Sequence, residues 1–259
     1  VKIGICAKVT PTTDARPKAS ADGATFEVQG KVVVGPYDEF AVEEAVKTKE
    51  KAGGEVVVYS VGSGADVVSQ LRMVIAIGAD RAVLVDDAAL KATDSLGIAR
   101  ALAAAAKKDG MEILFCGKQA IDDDASQVPA MVAELLGWTH VARAIEFSVD
   151  GATFKATRSM DGGVREVVTG SLPVVVTAER GLNKPRAAKL PAVVAAKSKP
   201  FATVDLAALG LSAGDVAPKA VTAAYGAPPE RPKGRKLTGD VDSQVKELVR
   251  LLREEAKVL

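Results

Sequence analysis

The sequence predicts a doubly wound α/β fold: a mostly parallel sheet with added antiparallel strands, then an extended C-terminal arm and helix. Three observations carry this. Over the first ~140 residues, strand-like and helix-like apolar patterns alternate, as in a parallel sheet covered on both faces. After residue 143, Asp-Gly signals at Asp150-Gly151 and Asp161-Gly162-Gly163 separate β-rich runs, and such turns join antiparallel strands. From Asn183 the chain becomes basic and then proline-rich, with little apolar periodicity until an amphipathic C-terminal stretch.

The elements follow in order. A first strand runs from Lys2 to Lys8, and Asp22-Gly23 marks a hairpin turn. A helix over 38–52 has Asp38 as N-cap, Gly53-Gly54 past its end, and Glu43 and Lys47 as an i,i+4 pair on its outer face. A strand at 55–60 precedes a helix at 66–77 that buries Val67, Val68, Leu71, Val74 and Ile75 and stops at Gly78. A strand at 82–85, a helix at 93–108 and a strand at 111–116 come next. Val128, Met131, Val132, Leu135 and Leu136 share one face of a helix over 125–137. Beyond it lie strands at 145–149, 153–158 and 164–169, then a buried strand from Leu172 to Thr177. The arm, ~200–240, carries Pro218, Pro228, Pro229 and Pro232. The last helix places Val241, Val245, Leu248, Leu251 and Leu252 on one face, for packing against another body. The expected division is a body of residues 1–200 and a packing tail of residues 201–259.

Composition narrows the functional classes. The chain has 259 residues, of which 48% are hydrophobic, enough for a sizeable core and too many for disorder. No apolar run approaches the ~20 residues of a membrane span. A net charge of +1 gives no global pull on nucleic acid. One histidine, His140, argues against a histidine-built metal site, and Cys6 and Cys116 read as small buried residues. Two cysteines, and a strand beginning at the first residue with no signal peptide ahead of it, point to a reducing cytoplasm.

The run Gly117-Lys118-Gln119-Ala120-Ile121-Asp122-Asp123-Asp124 lies between a buried strand and a helix start, where unpaired N–H groups and the macrodipole favour an anion. A nucleotide phosphate is the natural occupant. Lys118 supplies opposing charge, and the amides of Ala125, Ser126, Gln127 and Val128 face the ligand, with Pro129 fitting the first helical turn. The three aspartates read as helix capping rather than as a Mg²⁺ site, because consecutive residues do not converge on one point. Gly35-Pro36-Tyr37-Asp38 and Val61-Gly62-Ser63-Gly64 read separately as ordinary turns. With Cys6 they fall on the same carboxyl edge of the sheet, where such folds bind ligands. No nucleophile elbow, Walker loop or Cys-x-x-Cys occurs. The basic stretch 184–199 surrounds Leu190-Pro191-Ala192-Val193-Val194 without stacking aromatics, so it suits an acidic protein partner better than nucleic acid.

Four segments resemble the beta subunit of the electron transfer flavoproteins. Gly35-Pro36-Tyr37-Asp38-Glu39-Phe40-Ala41-Val42-Glu43-Glu44-Ala45 is similar to the family's Asn-Pro-Phe-x-Glu-Ile-Ala-Val-Glu-Glu-Ala. Gly117–Asp124 matches as it stands. The third runs from Arg158-Ser159-Met160-Asp161-Gly162-Gly163 through Leu172–Ala178, and the fourth is Leu182-Asn183-Lys184-Pro185-Arg186 with Leu190-Pro191. The resemblance implies a Rossmann-like, adenine-nucleotide-binding fold. It implies an alpha-subunit partner that holds most of an FAD, and electron transfer from acyl-CoA and related dehydrogenases, as in fatty acid oxidation, toward a quinone oxidoreductase. It also implies a structural AMP on this chain, contacted at Cys6, Gly35 to Asp38, Val61 and Gly117 to Val128. By the same resemblance, 183–200 is a recognition loop with Leu190 as anchor and Lys197 and Lys199 beside it, and the chain is a carrier without catalytic residues of its own. Gly35 replaces the usual Asn, and Thr13 stands where many members have a flavin-approaching Tyr. Bifurcating relatives hold a second FAD in place of AMP and read Asp-Gly-Asp where this chain has Asp122-Asp123-Asp124. The central side chain favours AMP, whereas Ala125-Ser126-Gln127-Val128-Pro129 leans toward the bifurcating pattern. A stand-alone adenine-nucleotide-binding regulator resembling universal stress proteins is a further reading, against which the arm and last helix argue.

Overall fold

The computed structural model describes residues 1–227, 229 and 233–259, so Pro228 and Pro232 lie outside the described residues. The first apolar run forms β1 (Lys2–Cys6), with Ile3 and Ile5 fully buried. It ends before Lys8 because the chain then leaves the sheet. β2 (Val9–Pro11) pairs with β5 (Val32–Val34) in one small ribbon. β3 (Arg16–Ala19) pairs with β4 (Phe26–Gln29) in another, around the Asp22-Gly23 turn. The βα alternation follows: α1 (Pro36–Ala52), β6 (Glu55–Val61), α2 (Ala65–Ile77), β7 (Arg81–Val85), α3 (Ser95–Asp109), β8 (Ile113–Gly117) and α4 (Val128–Leu136). Then come β9 (Thr139–Asp150), β10 (Thr153–Ser159), β11 (Arg165–Ser171), β12 (Val174–Ala178), α5 (Leu190–Ala196), β13 (Phe201–Val204) and α6 (Val241–Glu254).

Nine strands make one sheet in the order β11-β10-β9-β12-β8-β1-β6-β7-β13. From β9 to β13 every neighbouring pair is parallel, while β10 and β11 add antiparallel strands around Asp150-Gly151 and Asp161–Gly163. This is the expected doubly wound sheet with added antiparallel strands. β9 serves both parts: its first half lies parallel to β12 and its second half antiparallel to β10. Residues on one face of the central strands, among them Ile3, Ile5, Val56, Val58 and Phe115, pack with α1 and α2. The alternate residues, among them Val57, Tyr59, Cys6 and Cys116, pack with α3 and α4.

Four local expectations change. α1 starts at Pro36 behind an extended Gly35, so Asp38 is a buried first-turn residue and not the N-cap. Glu43 is buried and receives Arg186 (Nε–Oε2 2.9 Å), while Lys47 pairs with Glu44 at 3.0 Å, so the outer-face pair does not form. α4 starts at Val128 and not at 125, because Asp124 and Ser126 adopt φ of 48° and 55°, outside any right-handed helix. Phe201–Val204 pairs with β7, so sheet structure extends past residue 200 into the segment read as arm. The next residues also pack down: Leu206 and Val216 are buried against α3, and Asp94, the α3 cap, receives the backbone N–H groups of Lys219 and Ala220. α6 buries none of its residues. Among the described residues no helix is long and apolar enough to cross a membrane.

Candidate nucleotide site

The winding of the sheet reverses between β1 and β8. From β1 the chain moves through β6 to β7, and then α3 carries it back to β8 on the other side of β1. The crevice above the carboxyl ends of β1 and β8 is the place where this architecture takes ligands.

Asp38 closes the floor of that crevice. Its Oδ2 accepts from Lys8 N (2.9 Å) and its Oδ1 from Gly117 N (2.8 Å), tying the exits of β1 and β8 to the first turn of α1. Burial pushes its pKa up to about 7, against the two backbone donors and the charge of Lys8, which favour the carboxylate. Gly117 is required sterically: a Cβ there would meet Asp38 Oδ1 at 2.5 Å and Tyr37 C at 2.9 Å. A Cβ at Gly35 would meet Asp38 Oδ2 at 2.8 Å.

The 117–128 loop rises from this floor. Lys8 Nζ donates to Asp122 Oδ1 (2.9 Å) and Asp123 Oδ2 (3.0 Å). Burial disfavours the charge on Lys8, but the two carboxylates outweigh it and hold its pKa above the usual lysine value. Asp123 Oδ1 also accepts from Ala125 N (3.1 Å), and Asp124 Oδ1 from Gln119 Nε2 (2.8 Å). The three aspartates therefore brace the loop and do not cap α4. The amides of Ala125, Ser126 and Gln127 sit ahead of the helix, and that of Ala125 is already engaged. The helical donors are Val128 N and Ala130 N, since Pro129 has none. Lys118 Nζ binds Glu179 Oε2 at 2.8 Å and sits 4.7 Å from the centre of the Tyr37 ring. Burial works against the Glu179 carboxylate, yet Lys118 and neighbouring donors hold its pKa below the ordinary range.

Helix starts at this edge differ in one respect. Asp94 caps α3, whereas α1, α2 and α4 begin at Gly35, Gly64 and Gln127 with no side-chain cap. Their first-turn N–H groups are left for water or a ligand. Cys6, Gly35–Asp38, Val61 and the 117–128 loop thus share one edge. Sequence reading missed Lys8 and Glu179. Lys8 carried a weak signal, a cation directly after a buried strand; Glu179 meets the site only through the register of β12 beside β8, which no local pattern reveals. An adjoining cleft of about 430 Å³ lies over β12 and β9, lined by Lys118, Gln119, Ser126, Arg143 and Thr177, with His140 at its wall. Burial and the charge of Arg158 lower the His140 pKa.

The basic segment lies elsewhere, on α2. Arg72 Nη1 donates to the carbonyls of Ala196 (2.8 Å) and Lys199 (2.6 Å), fixing the end of α5. Leu190 and Val194 project into solvent, 77% and 61% exposed. Lys199 Nζ is engaged by Ala79 O at 3.0 Å, whereas Lys197 is exposed.

Residues 24–209 match the family described as the electron transfer flavoprotein domain. The electron transfer flavoprotein subunit beta of Bacillus subtilis (strain 168) is 37% identical over 245 residues, spanning 93% of this chain and 91% of that protein. The chain belongs to the electron transfer flavoprotein beta-subunit family. Subunit beta of Bradyrhizobium diazoefficiens is 36% identical over the full length of both chains (263 residues), and that of Mus musculus 39% identical over 83% of this chain and 85% of its own. Similarity to other electron transfer flavoprotein beta subunits thus spans the crevice, the 117–128 loop and α5 alike.

Proposed function

We propose that this chain is the beta subunit of a heterodimeric electron transfer flavoprotein. It carries electrons from acyl-CoA and related dehydrogenases toward a quinone oxidoreductase, holds a structural AMP, and helps the alpha subunit enclose an FAD. The supporting observation is that α1 and α4, which start beside the β1/β8 crevice, and α2, which starts at the neighbouring β6 exit, all begin without side-chain caps. Backbone donors at helix starts suit a phosphate. Val128 N and Ala130 N would hold it, Cys6 and Val61 would flank the base, and the Asp38 staple would keep the two walls in place. Lys8 offsets one of the two charges on Asp122 and Asp123 and holds both carboxylates in the loop, which lessens their opposition to an anion.

The FAD supplies the redox chemistry when bound; the residues of this chain bind, orient and dock. Tyr37, with Lys118 over its ring, presents a flat face at the same edge. Leu190 and Val194 form an apolar knob beside Lys197, suited to an apolar pocket rimmed by carboxylates on a dehydrogenase. The tail beyond β13 would pack on the alpha subunit through the uncovered face of α6. A reducing cytoplasm suits two free cysteines lying side by side.

The occupant is decided by denaturing the purified complex and identifying the nucleotides released. One FAD and one AMP per heterodimer is the expected result. Two FAD and no AMP would establish the bifurcating reading, which Ala125-Ser126-Gln127-Val128-Pro129 favours. Against it stands Asp123, whose carboxylate closes the loop onto Lys8 and Ala125 N, contacts that a glycine could not make.

A further inference from the structure

In the function proposed above Cys6 does no more than flank the base, and Cys116 has no role. They are directly opposite each other in the β1/β8 pairing, so both side chains leave the same face of the sheet. Both are free and nearly buried, 7% and 3% exposed, beneath the crevice and next to the residues that form its walls. The neighbouring Cys6 and burial raise the Cys116 thiol well above the usual cysteine value. Neighbouring strands run ~4.8 Å apart, and a disulfide spans Cα separations of ~4.4–6.8 Å. Cys6 is the last residue of β1 and Cys116 the last but one of β8, so each lies where the ladder gives way to loop.

We propose that Cys6 and Cys116 form an oxidisable dithiol in the floor of the crevice, converted to a disulfide by hydroperoxides and shielded while a nucleotide is bound above it. The shielding rests on the nucleotide reading; the dithiol does not. Cys6 is the attacking sulfur. It is the more exposed of the two, and the neighbouring Cys6 together with burial keeps the proton on Cys116. The Cys6 sulfur attacks one peroxide oxygen, the O–O bond breaks, and the Cys6 proton goes to the departing oxygen, giving a sulfenic acid and water. The Cys116 sulfur then attacks Cys6, the S–O bond breaks, and a second water leaves with the Cys116 proton. In total, two thiols and one hydrogen peroxide become one disulfide and two waters.

The test uses the purified alpha–beta complex, before and after dialysis to remove nucleotide, treated with hydrogen peroxide. It reads the intact mass of this chain and its thiol count after denaturation, with nucleotide content measured in parallel. The dithiol predicts loss of two hydrogen atoms and of both thiols in the nucleotide-free complex, reversed by dithiothreitol. It also predicts that Cys116→Ala stops at a single added oxygen on Cys6. With AMP at ~100 times its dissociation constant, the rate falls about 100-fold, because only the empty fraction reacts. Oxygen addition without loss of both thiols, or thiols that survive in the nucleotide-free complex, would overturn the dithiol. An unchanged rate while AMP is measurably bound would overturn the shielding. A disulfide that forms in a complex unable to hold AMP would support the dithiol and sink the nucleotide reading instead.

Discussion

Burial pushes the Asp38 carboxyl up to about 7, against 3.8 for an ordinary aspartate. The folded state therefore binds a proton more tightly than the unfolded chain does. Stability from this group is present below about pH 4 and is lost as pH rises through the folded value near 7. A shift of that size corresponds to roughly 4 kcal/mol, all of it opposing the fold above neutrality. Asp38→Asn has no charge to lose. The difference in unfolding free energy between the two proteins, from urea titrations across pH 4 to 8, should move steadily in favour of the variant up to neutrality and then level off. A constant difference would show that Asp38 titrates as it does in water. The offset at low pH reads something separate: an amide leaves one of the two donors, Lys8 N or Gly117 N, facing an N–H, at a cost of about 1–3 kcal/mol.

At the scale of the element, α1 joins two regions that are far apart in sequence. Its first turn holds the crevice through Asp38, and its middle holds the segment leading to α5: Arg186 is forked onto Glu43 and Glu50, and Asn183 Nδ2 donates to Phe40 O and Glu44 Oε2. Arg186→Met leaves the Glu43 charge buried without its partner. It should cost about 3 kcal/mol, read as a lower urea midpoint. Leu190→Ala is expected to act differently, leaving the midpoint and the nucleotide content alone. It should raise the KM for a donor dehydrogenase by an amount equivalent to ~1–3 kcal/mol. Unchanged transfer kinetics with several dehydrogenases would exclude that role.

These elements also mark how far the sequence could be read. Periodicity located every central strand and the four helices that cover the sheet, because apolar spacing reports directly which face is buried. It misplaced the start of α4, since positive φ at Asp124 and Ser126 leaves no imprint in an apolar pattern. It missed β13, a four-residue edge strand whose residues are all at least partly exposed. The site residues were legible as loops at strand ends. Their partners were not. Asp38 looks like a cap and Glu43 like half of a surface pair until the register of the sheet brings Lys8, Gly117 and Arg186 to them.

For the molecule as a whole, α6 is the element with least support from the rest of the chain. Val241, Val245 and Leu248 are 74%, 54% and 47% exposed on one face. Val245→Asp with Leu248→Asp should leave the unfolding free energy of the isolated chain within ~0.5 kcal/mol of the parent, as for other exposed substitutions. The same pair should weaken association with the alpha subunit in a pull-down or by sedimentation. A large loss of intrinsic stability would mean that α6 already folds back on its own subunit.

The sheet has two rims. At one, β13 is a short edge strand of four residues beside α5. At the other, β11 is the outermost strand, with Val164 and Val167 60% and 57% exposed, and among the described residues no strand pairs with its outer backbone groups. An unpaired rim recruits whatever extended chain meets it first, and Arg165 and Glu166 are the charges that discourage a second copy from doing so. Crowded nascent chains would meet one another before meeting a partner. Overproduced alone, the polypeptide is poised to deposit as insoluble material; made together with the subunit it assembles with, it should stay in solution.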